Sequence, residues 1–190
     1  MAGRLLRRLR EQRGFTLVEL IAVLGILMTV VTSLTVLFVS GARAELDANE
    51  RFEAQQNARL ALDKLRRELH CSSGITNVDD SALTTTPVAA IKVALPGHCP
   101  SADGVNSFVV YETVSAGSSR WTLRRTQDGV AVDVADHFTN DDVFTYTAQS
   151  LESRATLHVD LPVNVNPNEG WPTWSLVDDI VLRNTLRETP

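Results

Sequence analysis

From Leu20 to Ala42 the chain runs for 23 residues without a charged side chain, most of them Leu, Ile, Val, Phe or Met. A helix needs about 20 such residues to cross a bilayer core, so this run is long enough to span one. No proline occurs before Pro87, and Gly25 and Gly41 are the only weak points, so one helix is expected from Phe15 to about His70. At 1.5 Å per residue it would be roughly 84 Å long, with some 30 Å inside hydrocarbon.

Charge orients that helix. Arg4, Arg7, Arg8, Arg10 and Arg13 stand before it against one acid, Glu11, giving residues 1–14 a charge of +4. The whole chain carries −5, which leaves −9 on residues 15–190. Arginines before the span and none within it place Met1 in the cytoplasm and the C-terminal part outside. An acidic external domain favours solubility and disfavours nucleic acid as a partner, since phosphate binding needs clustered cations. At 190 residues there is room for one ordinary domain and an appendage, not for a large multidomain enzyme.

An apolar helix alone permits secretion, simple anchoring or assembly. Ala42-Arg43-Ala44 has the A-x-A form of a signal-peptidase site, but a secretory h-region spans about 7–15 residues, far fewer than here. A plain single-pass anchor accounts for the helix and leaves the residues before it unexplained. Those residues read Arg13-Gly14-Phe15-Thr16-Leu17-Val18-Glu19-Leu20. Glycine, then an aromatic, then Thr-Leu-Val-Glu-Leu at the head of a long apolar helix closely resembles the class III signal of type IV pilins and type II secretion pseudopilins.

The resemblance implies a leader of residues 1–14, cleavage by prepilin peptidase between Gly14 and Phe15, and N-methylation of Phe15. A side chain at Gly14 would obstruct access to the backbone. Glu19 is an acid in an otherwise apolar helix, at a cost of about 2.5–3.5 kcal/mol near the bilayer centre and less at its edge. It lies four residues after Phe15, on the same helical face. The α-amine of Phe15, in the same chain or, as the family implies, in a neighbouring subunit, is a natural partner that would set axial register. The alternative is a Glu19 solvated among lipid headgroups.

Ala22, Gly25, Thr29 and Thr32 form a small-residue face that would let helices pack closely in lipid, although generic transmembrane composition can produce the same stripe. Residues 15–42 are therefore read as the transmembrane and filament-core helix. Residues 43–71 are read as its amphipathic continuation, whose apolar set includes Phe52 and in which Ala58, Ala61, Leu62, Leu65 and Leu69 recur at three- and four-residue steps as a stripe to lay on a sheet. Fewer than three clean heptads exist, which speaks against a coiled coil.

Residues 72–190 are read as an extracytoplasmic β-rich domain. Ser72-Ser73-Gly74 stops the helix, Thr84–Pro87 is loop, and strands are expected at Ser107–Val114, Arg120–Arg125, Val130–Val134, Val143–Ala148, Ala155–Val163 and Trp174–Leu182. Asp128-Gly129 is a hairpin turn, because both residues tolerate positive φ, and Asn164–Gly170 is a polar connection. The fold class is thus α+β, a long N-terminal helix packed on an antiparallel sheet. The pilin resemblance implies the same architecture. Local likenesses narrow it toward the minor subunits of the PilW type or the secretion J-subunit type: the Phe52–Leu69 helix, Trp121 followed by Leu123, Arg124 and Arg125, the Val134–Phe138 segment before Phe144-Thr145-Tyr146, and Val181–Asn184.

Cys71 and Cys99 are the only cysteines and fall in the part expected outside the cytoplasm, so a disulfide is the favoured reading, closing about 28 residues for around 3 kcal/mol. His70-Cys71 and His98-Cys99 raise a Cys2His2 site, which the usual zinc spacings disfavour, so no metal is expected. Asp79-Asp80, Asp141-Asp142 and Asp178-Asp179 lack EF-hand alternation and read as solvated turns. His137 and His158 are isolated and read as structural. No nucleophile elbow, phosphate loop or metalloprotease helix is present, so neither an enzyme nor a cofactor is expected.

The sequence therefore predicts a structural, minor pilin-like subunit in the cell membrane, its N-terminus inside, passing into an extracellular or periplasmic filament. Its implied partners are other pilin or pseudopilin subunits, prepilin peptidase, the pilus or secretion machinery, and membrane lipid. The alternative is a tip-located binding module for adhesion, DNA or a secreted substrate. Arg120, Arg124 and Arg125 are the candidate basic patch for it.

Overall fold

A computed structural model describes residues 16–102, 104–167 and 172–183. The leader and the Gly14–Phe15 junction lie outside the described residues, as do residues 168–170 of the polar connection, Trp171, and Asn184 of the Val181–Asn184 segment. The chain divides into two compact units, residues 1–48 and 49–190.

Helix α1 spans Leu17–Cys71, in keeping with an absence of proline and a supply of Leu, Ala, Glu and Arg, all good helix formers. In the first unit every side chain from Leu17 to Leu46 is exposed, including fourteen large apolar ones from Leu20 to Val39. This segment is long and apolar enough to cross a membrane.

In the second unit the same helix buries Ala54, Ala58, Ala61, Leu62, Leu65, Glu68 and Leu69. The alanines come first and the leucines last. The buried stripe thus grows in side-chain volume toward the end of the helix. Phe52, in the apolar set of this segment but off the three- and four-residue stripe, is 62% exposed, because two residues along a helix turn it about 200° from Ala54. After Cys71 the helix closes through Ser72, whose N–H donates to the Glu68 carbonyl and whose hydroxyl donates to that of Leu69.

Among the described residues eight antiparallel strands form one sheet: β1 (Gly74–Thr76), β2 (Ala90–Leu95), β3 (Ser107–Gly117), β4 (Arg120–Gln127), β5 (Val130–Phe138), β6 (Phe144–Thr147), β7 (Thr156–Val163) and β8 (Trp174–Val181). Their order is β1-β2-β3-β4-β5-β7-β6, with β8 pairing β7. A single pair, Phe138 with Val163, joins β5 to β7, so the sheet curls there. Inward-facing Ile91, Val93, Val109, Tyr111, Leu123, Leu157, Val159, Leu161 and Ile180 share one core with the helix stripe.

The α+β architecture matches the expectation, and two strands go beyond it. β2 alternates as half-buried and buried, with Ile91, Val93 and Leu95 inward, a clear period of two once it is seen that Lys92 lies on the outer face. β1 is only three residues long and has too little pattern to be read in advance. β5 continues four residues past Val134, through a bulge at which His137 takes φ 64°. Asp128 and Gly129 do form the expected turn, at φ 50° and 79°, and Ser118 and Ser119 make another of the same kind.

Candidate functional site

The N-terminal end of α1 is built by Thr16. Its hydroxyl oxygen accepts the Glu19 backbone N–H at 3.3 Å, and its carbonyl accepts the Leu20 N–H at 3.1 Å. Thr16 is thus the cap of the helix and Glu19 its third residue, the Thr-x-x-Glu spacing of a capping box. Glu19 stands exposed in the first turn, where its negative charge also suits the helix dipole. Sequence reasoning paired Glu19 with the Phe15 α-amine, in the same chain or in a neighbour, or left it solvated among headgroups, and did not identify Thr16 as the cap. The signal was legible in Thr16-Leu17-Val18-Glu19 itself.

Ala22, Gly25, Thr29 and Thr32 are all exposed, and a Cβ added at Gly25 would meet nothing within 4 Å. The Thr29 and Thr32 hydroxyls donate to the carbonyls of Ile26 and Met28 at 2.7 and 2.8 Å, and Thr35 and Ser40 do the same with Val31 and Leu37. Each hydroxyl is therefore satisfied by its own helix, which lowers the cost of a hydrocarbon environment.

At the other end of α1, Glu68 is 3% exposed and receives the Arg125 guanidinium, Nη2 to Oε1 at 2.8 Å and Nε at 3.2 and 3.3 Å, while Tyr111 Oη donates to Oε2 at 2.6 Å. Arg125 Nη2 also reaches Gln127 Oε1 at 2.6 Å, and Gln127 Nε2 donates to the Ser101 carbonyl at 2.6 Å. Burial and the adjacent Glu68 carboxylate push the Tyr111 hydroxyl far above the ordinary tyrosine range. Burial alone would lower the Arg125 guanidinium, but its hydrogen bonds and attraction to Glu68 more than offset this and raise it. The group ties helix to sheet within a largely apolar core.

The three arginines of β4 do not form a common patch. Arg125 points inward to Glu68, Arg124 lies on the opposite face against Asp133 at 2.8 Å, and Arg120 Nη2 donates to the Val165 carbonyl at 2.5 Å. Asp178 and Asp179 lie in strand β8 and not in the expected solvated turn: Asp178 binds Arg66 of α1 and Asp179 meets His158 at 2.7 Å, while Asp80 meets Lys92 at 2.6 Å. Asp79 accepts the Ser81 hydroxyl and N–H, which lowers its carboxyl below the usual value.

Cys71 and Cys99 form a disulfide with Cα atoms 5.7 Å apart, joining the end of α1 to the loop that leads into the short 3-10 turn Pro100–Ala102. A His98 ring nitrogen lies near both sulfurs, but sulfurs bonded to each other do not serve as thiolate ligands.

Residues 9–35 match a family model described as the prokaryotic N-terminal methylation motif. This is the prepilin signal of type IV pilins and pseudopilins, and it covers the junction and the apolar segment as far as Thr35. The motif supports a type IV pilin-like precursor, implies processing by prepilin peptidase and assembly with other pilin subunits, and, with the apolar helix, fits a membrane anchor. No curated protein and no solved structure matches the chain.

Proposed function

We propose that this protein is a structural, minor subunit of a type IV pilus or pseudopilus and has no catalytic activity. The observation that carries the reading is the continuity of the methylation motif at residues 9–35 with an exposed apolar helix of spanning length. The precursor sits in the cytoplasmic membrane with its arginine-rich leader inside. Prepilin peptidase cuts after Gly14, Phe15 is methylated, and the apolar half of α1 leaves lipid for a bundle of equivalent helices.

Within that bundle Glu19 pairs with the Phe15 amine of a neighbour, and the Ala22, Gly25, Thr29 and Thr32 face allows close helix packing. The β-rich unit is carried outside the membrane and supplies the subunit's exposed surface. The minor type is supported by the local likenesses of the Phe52–Leu69, Trp121–Arg125 and Val134–Phe138 segments.

Co-expression with a prepilin peptidase tests this directly. Mass analysis of the mature chain is expected to find an N-methylated Phe15. A chain beginning at Glu45 would assign ordinary secretion and end the proposal, and an uncut chain would leave only a membrane anchor.

A further inference from the structure

A groove of about 720 Å³ opens between the last turns of α1 and the loop at Pro100, lined by Lys64, Arg67, Glu68, His70, the Cys71–Cys99 disulfide, Pro100 and Ser101. Clefts that hold ligands span about 300–1,000 Å³, so the volume suits a short segment of chain. We propose that this groove binds an acidic peptide segment of a protein partner.

Charge is the first argument. Lys64 and Arg67 stand one helical turn apart on the rim, and neither makes an ion pair or hydrogen bond among the described residues. Glu68 is the only acid in the lining, and its carboxylate is turned away into the core, held by Arg125 and Tyr111. The groove therefore presents uncompensated positive charge on a chain that carries −9 after its leader.

Construction is the second argument. Glu68, Arg125, Gln127 and the Ser101 carbonyl form an unbroken line of contacts of 2.6–2.8 Å from one wall to the other. The disulfide is a second tie between the same walls. The loop is closely built as well: a Cβ at Gly97 would lie 2.7 Å from the Gly104 carbonyl oxygen, and the Gly97 N–H donates to Asn106 Oδ1 at 2.8 Å. Walls fixed in advance lose little entropy on binding.

Geometry selects the ligand. Side chains three apart on a helix have Cβ atoms about 5–6 Å apart, and alternate residues of an extended peptide are about 6.6 Å apart on one side. Carboxylates at alternate positions can therefore meet Lys64 and Arg67 together, and an apolar residue beyond them can cover the disulfide and Pro100. Two cations are too few to hold a long polyanion, whose affinity grows with each phosphate neutralised.

The test uses the full mature chain in non-ionic micelles and a fluorescein-labelled eight-residue peptide with Asp at alternate positions followed by Leu, read by anisotropy. The peptide is expected to bind, and the Lys64→Ser/Arg67→Ser double variant to weaken it by about tenfold, the sum of two half-exposed ion pairs. An Asn-for-Asp peptide should lose as much, while Arg124→Ser, on the outer face of β4, should change nothing. Thermal melting of each variant checks that the fold is retained. The proposal is overturned by absence of binding at millimolar peptide, by equal binding to the double variant or the Asn peptide, or by single-stranded DNA or polyphosphate binding more tightly than the peptide.

Discussion

Glu19 and Glu68 are both acids in one helix, and their surroundings give them different work. At Glu19 the backbone N–H donates to the Thr16 cap, and the carboxylate is the group proposed to pair with an amine. Glutamine serves at the third position of a capping box but carries no charge. Glu19→Gln is therefore expected to keep leader cleavage and helix content while reducing filament incorporation, measured as subunit in sheared filaments; normal incorporation would refute the pairing. At Glu68 the charge is buried and paired. Arg125→Ala strands it in the core and should cost about 3–5 kcal/mol in denaturant unfolding, against about 1–2 for Tyr111→Phe, which removes one hydrogen bond and leaves the ion pair. Tyr111 also sets an alkaline limit. Its hydroxyl is raised in the folded chain, so its contribution is complete below the unfolded value of about 10 and is lost as pH climbs above it. The unfolding midpoint of the wild type should fall more steeply above pH 10 than that of Tyr111→Phe; parallel curves would refute the assignment.

Helix α1 changes its surroundings along its length without changing its backbone. Residues 17–46 present apolar side chains outward, whereas residues 54–69 turn one stripe into a protein core. That stripe is graded by size, with fully buried Ala58 at its narrow end and fully buried Leu65 and Leu69 at its wide end. Ala58→Leu should thus overpack the contact and cost about 1–3 kcal/mol, while Leu60→Ala, 66% exposed on the other side, should stay within about 0.5 kcal/mol. Urea melts of the mature chain separate the two, and equal effects would show that Ala58 has room to spare. Much of this helix was legible beforehand, since the three- and four-residue spacing identified five of its seven buried positions. Ala54 and Glu68 were not among them: one is a small residue that scores weakly, the other an acid that any hydropathy pattern assigns to water.

At the scale of the whole molecule, the disulfide is the one covalent tie between helix and sheet. Cys71 ends α1, Cys99 belongs to the loop after β2, and 28 residues separate them. On the chain-entropy argument the Cys71→Ser/Cys99→Ser variant should lose about 3 kcal/mol of stability in the β-rich unit. Leader cleavage, which depends on the other end of the chain, should be unaffected, and an unchanged unfolding midpoint would show that noncovalent packing alone closes the loop.

The sequence by itself determined the spanning helix, the prepilin signal, the pairing of the only two cysteines and most strands, because each depends on local composition or on the regular period of one element. Tertiary structure decided which charges are buried. Arg120, Arg124 and Arg125 look alike in sequence, yet alternation along β4 and the position of Glu68 on α1 send them to three different partners. It also decided the groove, since Lys64 and Arg67 acquire an opposing wall only when the disulfide and the Arg125–Gln127 relay bring the Pro100 loop against the helix. Pattern along a chain specifies which face of an element is apolar; only packing specifies what that face, and the polar groups among it, will meet.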